Sequence, residues 1–142
     1  MIKGVEVKKT FKYVSTKDVD KDNPTVFVIG TVDPFVKAYI EDATTSFNFG
    51  ANQEDGEYPV KIEIARRTYL TVKHGVRRIE NLLDPETQKP VEDVEEVVGI
   101  EDRQYPVLSS KVLDMLPQAV IAELAGVINR FSETGVEELA EV

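Results

Sequence analysis

Residues 60–84 read VKIEIARRTYLTVKHGVRRIENLLD, and the fold turns on how this stretch is divided. Val60, Ile62 and Ile64 alternate as a strand does, or as an extended approach to a helix. From Ala65 the period changes: Ala65, Tyr69, Val72, Val76, Ile79 and Leu83 follow at intervals of 4, 3, 4, 3 and 4. That stripe predicts one amphipathic helix of about five turns. It would close at Asp84-Pro85, because a residue before proline is pushed out of the α region. Gly75 lies inside it at a cost of roughly 1 kcal/mol against alanine. A close backbone neighbour or a kink is expected there.

Upstream, residues 5–14 (VEVKKTFKYV) and 25–30 (TVFVIG) read as an antiparallel pair of strands joined by the polar turn 15–24. Asp33-Pro34 is a helix start, an N-cap carboxylate followed by proline at the first helical position. The helix it opens carries Phe35, Val36, Tyr39 and Ile40 on one face and ends near Thr44. Residues 46–58 hold Gly50, Gly56, Asn48 and Asn52 without a period and read as a loop. Downstream, residues 91–98 and 104–108 form a second hairpin around Glu101-Asp102. Ser109 or Ser110 caps a short helix carrying Val112, Leu113 and Leu116. A helix from Pro117 follows, with Val120, Ile121, Leu124, Val127, Ile128 and Phe131 facing inward and an interruption at residues 132–135. The order predicts an α+β fold: one small domain over residues 1–132, with antiparallel β-hairpins packed on one long and two or three shorter helices. Residues 133–142 form an acidic C-terminal tail.

The chain has 142 residues, 17 Lys and Arg against 26 Asp and Glu, and a net charge of −9. That balance argues against binding nucleic acid through the whole surface. The absence of Cys removes disulfides, thiolate metal sites and Cys nucleophiles together. No apolar run is long enough to cross a membrane, and residues 1–9 lack the apolar core of a signal peptide, so the cytosol is the expected place of synthesis and folding.

Candidate chemistry is thin. Asp18, Asp20 and Asp22 resemble the start of a calcium loop, but Asn23 holds the glycine place and Ile29 stands where the bidentate glutamate belongs. A solvated turn is the better reading. His74 is the sole histidine, expected at the surface between Lys73 and Gly75, with no nucleophile context nearby. No phosphate-binding glycine motif occurs, and 26 acids make any single carboxylate pair uninformative. No cofactor, metal or small-molecule substrate is implied.

The most pronounced feature is basic. On a continuous helix, Arg66, Lys73 and Arg77 form one stripe and Arg67, His74 and Arg78 a second beside it, both opposite the apolar seam. One reading is a solvated face balanced by Glu63 and Glu80. The other is an electrostatic docking face for an acidic partner, including the acidic region of a neighbouring copy.

Three stretches resemble small proteins of the structural gene modules of tailed bacteriophages: residues 10–30, residues 72–88 (VKHGVRRIENLLDPETQ) and residues 112–132 (VLDMLPQAVIAELAGVINRFS). The middle one carries Arg78-Ile79-Glu80-Asn81 where that family has a tryptophan. The resemblance implies a non-enzymatic structural protein of the phage particle, in capsid, neck or tail, assembled in the host cytoplasm. Its partners would be other phage structural proteins and copies of itself, without nucleic acid or membrane. An assembly chaperone that leaves before the virion matures is the first alternative, and a small cytosolic enzyme using carboxylates the second.

Overall fold

The computed structural model describes residues 1–2, 9–47, 60–92 and 94–134. Strands β1 (Thr10–Val14) and β2 (Val26–Gly30) pair antiparallel, Thr10 opposite Gly30. Helix α1 (Pro34–Thr44) follows, then the short antiparallel pair β3 (Thr45–Phe47) and β4 (Val60–Ile62). Helix α2 (Ile64–Gly75) leads directly into β5 (Val76–Glu80), which joins β2 in a three-stranded sheet of order β1-β2-β5. The hairpin β6 (Glu95–Ile100) and β7 (Arg103–Leu108), the single turn α3 (Ser110–Leu113) and helix α4 (Gln118–Thr134) complete the fold. It is an α+β protein with antiparallel strands, as its sequence pattern predicts.

Several local signals act as expected. The Asp33 carboxylate accepts the Val36 N–H at 2.8 Å, which satisfies one orphan donor of α1, and Pro34 opens the helix. Val36 and Ile40 are buried on its inner face. The β6–β7 hairpin closes with Ile100 opposite Arg103, and Glu101 takes the left-handed conformation (φ 57°) that so tight a turn requires. Ser109 sits at the N-cap of α3, although its side chain makes no capping bond. Residues 3–8, 48–59 and 135–142 carry part of the first expected strand, most of the expected loop and most of the acidic tail expected over 133–142, and these lie outside the described residues.

Two expectations are corrected. Helix α4 runs through residues 132–134 without interruption, anchored where Ser132 Oγ accepts the Val32 N–H at 3.0 Å. More consequentially, the helix expected over residues 65–83 is two elements, α2 to Gly75 and β5 from Val76. Helix α2 lies against α4, and a Cβ at Gly75 would fall 2.6 Å from Ile128 Cδ1 and Cγ2. Glycine is there for that close approach. The chain then extends, and Val28 pairs with Arg78 while Ile29 pairs with Val76, leaving Arg77 unmatched in a bulge. A bulge absorbs one residue of the two-residue alternation. Val76 and Ile79, three apart, therefore both point into the core, which reproduces the spacing of a helix.

The main core gathers Phe27 and Ile29 of β2, Val72 of α2, Val76 and Ile79 of β5, and Leu124, Ile128 and Phe131 of α4. A smaller cluster of Val36, Ile40 and Ile100 joins α1 to the β6–β7 hairpin. The Gly75 contact yields a direct prediction. Gly75→Ala should cost about 1–3 kcal/mol by overpacking against Ile128. In a chemical-denaturation cycle with Ile128→Ala, the double variant should be less destabilised than the two single losses summed, by at least about 1 kcal/mol. Simple additivity would show that the two residues do not touch.

Candidate functional site

The six basic residues singled out by sequence do not share one face. Arg66, Arg67, Lys73 and His74 belong to α2, whereas Arg77 and Arg78 belong to β5. Their environments differ because the end of α2 is covered on both flanks, by α4 on one side and by β7 on the other.

Lys73 and His74, expected in solvent, are 8% and 5% exposed. The Lys73 ammonium donates to Ser110 Oγ at 2.6 Å and meets the Glu96 carboxylate at 3.3 Å. Glu96 also accepts the Ser110 N–H at 3.1 Å, so one buried cation, one carboxylate and the start of α3 form a closed triangle. The Ser110 amide and the Lys73 contacts hold the Glu96 carboxyl below its usual range. His74 lies edge-on to the Tyr105 ring, centroids 6.5 Å apart. Burial, and then the Lys73 and Arg77 cations, push its pKa from 6.5 down to about 4, against an opposing pull from Asp33.

Arg77 is aimed by the bulge. Its side chain crosses Gly30, where a Cβ would stand 2.7 Å from Nε, and its guanidinium donates to the carbonyls of His74 and, at 2.6 Å, Thr31. Arg67 is half-buried and donates to the hydroxyls of Thr44 at 2.9 Å and Thr45 at 2.8 Å, tying α2 to the junction of α1 and β3. Four of the six candidates are thus internal braces. Arg66 and Arg78 are exposed: Arg66 meets Glu63 at 3.4 Å and the Ala43 carbonyl at 3.2 Å, and Arg78 meets Glu80 at 2.9 Å. Glu63 and Glu80 are the two acids expected to balance this face.

A cleft of about 110 Å³ separates Asp33 and Val36 from His74, Arg77 and Tyr105. Its size admits a few waters, and both terminal nitrogens of Arg77 already donate to carbonyls of the fold. Around residues 18–25, the Asp18 carboxylate accepts the Asp20 and Thr25 amides and Asp20 accepts those of Asp22 and Asn23. The bonds from the Asp20, Asp22 and Asn23 amides are local Asx bonds, and the bond from Thr25 to Asp18 closes the turn. Among the described residues no three His, Cys, Asp or Glu side chains converge as a metal site, and no helix is long and apolar enough to cross a membrane.

The polar centre that sequence reading missed is Glu123 of α4. Its carboxylate accepts from Tyr13 Oη at 3.0 Å, Thr16 N at 3.0 Å, Thr16 Oγ1 at 2.6 Å and the Ser15 hydroxyl. Burial alone would raise its pKa, but these donors outweigh it and hold the carboxyl down at about 2. Tyr13 responds in the opposite sense, raised by burial and by its bond to Glu123. Glu123 pins the end of β1 to α4. Its only sequence signal is a cluster of hydroxyls in residues 13–16, which names no partner.

Comparison with known protein families, with curated proteins and with solved structures returns no match.

Acid sensitivity follows from these environments. The folded pKa of His74 lies below its unfolded value of 6.5, so its contribution is complete above that pH and is lost as pH falls toward about 4. The loss is on the order of 3 kcal/mol. Glu123 adds a second loss below pH 4.5, running toward about 2. Urea midpoints measured against pH should fall in both windows. His74→Gln should flatten the upper window alone, and Glu123→Gln the lower alone while costing about 2 kcal/mol at neutral pH. A His74→Gln protein with the wild-type slope between pH 6.5 and 4 would show that this histidine is not the group responsible.

Proposed function

We propose that this chain is a non-enzymatic structural protein of a tailed bacteriophage particle, in capsid, neck or tail, that works by protein–protein assembly. The reading is supported by the resemblance of residues 10–30, 72–88 and 112–132 to that family, stretches that supply most of the main core. The observation that carries it beyond resemblance is the use made of the interior charges. Lys73, Arg77 and Glu123 are each engaged by side chains or carbonyls of the fold itself, and the His74 ring is buried against Tyr105. Among the described residues, no buried side-chain nitrogen or oxygen lacks a hydrogen-bond partner. Groups paired in this way join distant elements of the fold to one another, as suits a scaffold that works through its surfaces.

Within this proposal, other structural proteins of the particle and copies of the chain are the partners, and no cofactor takes part. Quantitative mass spectrometry of purified particles of the virus that carries the gene tests it, with copy number measured against the main shell protein. The expected result is retention at the tens to hundreds of copies that symmetric assembly demands. Absence from particles, with the protein abundant in infected cells, would replace this reading with that of an assembly chaperone.

A further inference from the structure

A second cleft, of about 220 Å³, lies where α1, α2 and α4 meet. Val32 and Ile40 give part of its lining an apolar character, and polar side chains from all three helices make up the rest. Arg67 of α2 spends Nε on Thr44 and Nη2 on Thr45. Among the described residues nothing meets its Nη1, and no buried side-chain nitrogen lacks a partner, so Nη1 opens to solvent. On α4, Ser132 Oγ accepts the Val32 N–H, which leaves the hydroxyl its own proton to donate. Asn129, exposed one turn earlier on the same face, offers amide donors.

Charge narrows what such a cleft takes. Lys37 of α1 adds a second cation to the lining, and Glu41 is its one carboxylate among the described residues. Two cations against one acid leave a single positive charge in excess, on a protein whose net charge is −9. A dianion such as phosphate would be repelled by Glu41 and by the surrounding negative field, whereas a monoanion matches the excess. The aliphatic side chains beside the donors suit a ligand with a short hydrocarbon body.

We propose that this cleft is a binding site for a short aliphatic monocarboxylate, its oxygens held by Arg67, Ser132 and Asn129 and its carbons lying on Val32 and Ile40. Two sources supply that chemistry: a free short-chain acid, and a glutamate side chain. Glutamates stand close by in the sequence. Helix α4 ends at Thr134, two residues beyond Ser132, and Glu137, Glu138 and Glu141 follow within a chain length that reaches the cleft. The proposal goes beyond the assembly role and does not depend on it: absence of the protein from particles would leave it standing.

The test is a titration of the full chain with sodium butyrate at neutral pH and fixed ionic strength, followed by backbone amide NMR, with sodium phosphate as the comparison. The amides of Ile40, Thr71, Asn129 and Ser132 should shift saturably, with a Kd on the order of 1–10 mM for so small a ligand. Phosphate at equal concentration should shift them several-fold less. Asn129→Asp should weaken butyrate about tenfold by cancelling the positive excess. Its thermal midpoint should not change, because residue 129 is exposed. A variant carrying Glu137→Gln, Glu138→Gln and Glu141→Gln separates the two sources. If the chain's own glutamate is the ligand, these four amides shift in the variant before any acid is added, and butyrate then binds several-fold tighter. If a free acid is the ligand, both readings match the wild type. Three results would each overturn the proposal: no saturable shift in wild type or variant, binding indifferent to Asn129→Asp, or phosphate binding as tightly as butyrate.

Discussion

Helix α2 approaches α4 so closely at Gly75 that one methyl group would overlap Ile128, a side chain with no exposure at all. Much of the fold depends on that contact. It sets the depth of Val72 and Ile128 in the main core, and it lies at the last residue before the chain changes from helix to strand. Because the change occurs there, β5 runs back beside β2 and the sheet acquires its third strand. The bulge at Arg77 then lets Val76 and Ile79 enter the same core, while the arginine crosses Gly30 to brace two backbone carbonyls. Two glycines, each facing a bulky side chain, thus hold helix, strand and sheet in register.

The same geometry decides what happens to charge. A helix exposed along its length would show Lys73 and His74 to water. Here β7 covers that flank, and burying an ion without partners would be costly. Lys73 meets Glu96 and Ser110, and His74 stays neutral at physiological pH beside Tyr105. On the far side Glu123 collects donors from the end of β1. These inward-facing groups join elements far apart in sequence.

How much of this was legible in the sequence differs by element for physical reasons. The start of α1 was readable because Asp33-Pro34 caps a helix through local bonds. The inward face of α4 was readable because six apolar residues keep a helical period over three turns. Residues 76–80 were not, because a strand with one bulge places apolar residues three apart, as a helix also does. The six-residue basic face fell with that misreading. Burial of Lys73 and His74 was invisible for another reason: the strands that cover them lie more than 20 residues downstream, and nothing local marks a flank that tertiary packing will close. Glu123 was hidden likewise, its partners being more than 100 residues away.

The central claim is that α2 ends at Gly75 and the chain continues as a bulged strand. Backbone carbon chemical shifts across residues 64–83 test it most directly. The account predicts helical Cα shifts through residue 74, strand-like shifts from Val76 to Glu80 with a local departure at Arg77, and cross-strand nuclear Overhauser contacts from Val76 to Ile29 and Arg78 to Val28. Helical shifts running unbroken to Leu83 would contradict it, and with it the buried positions of Lys73 and His74 and the bracing of Arg77.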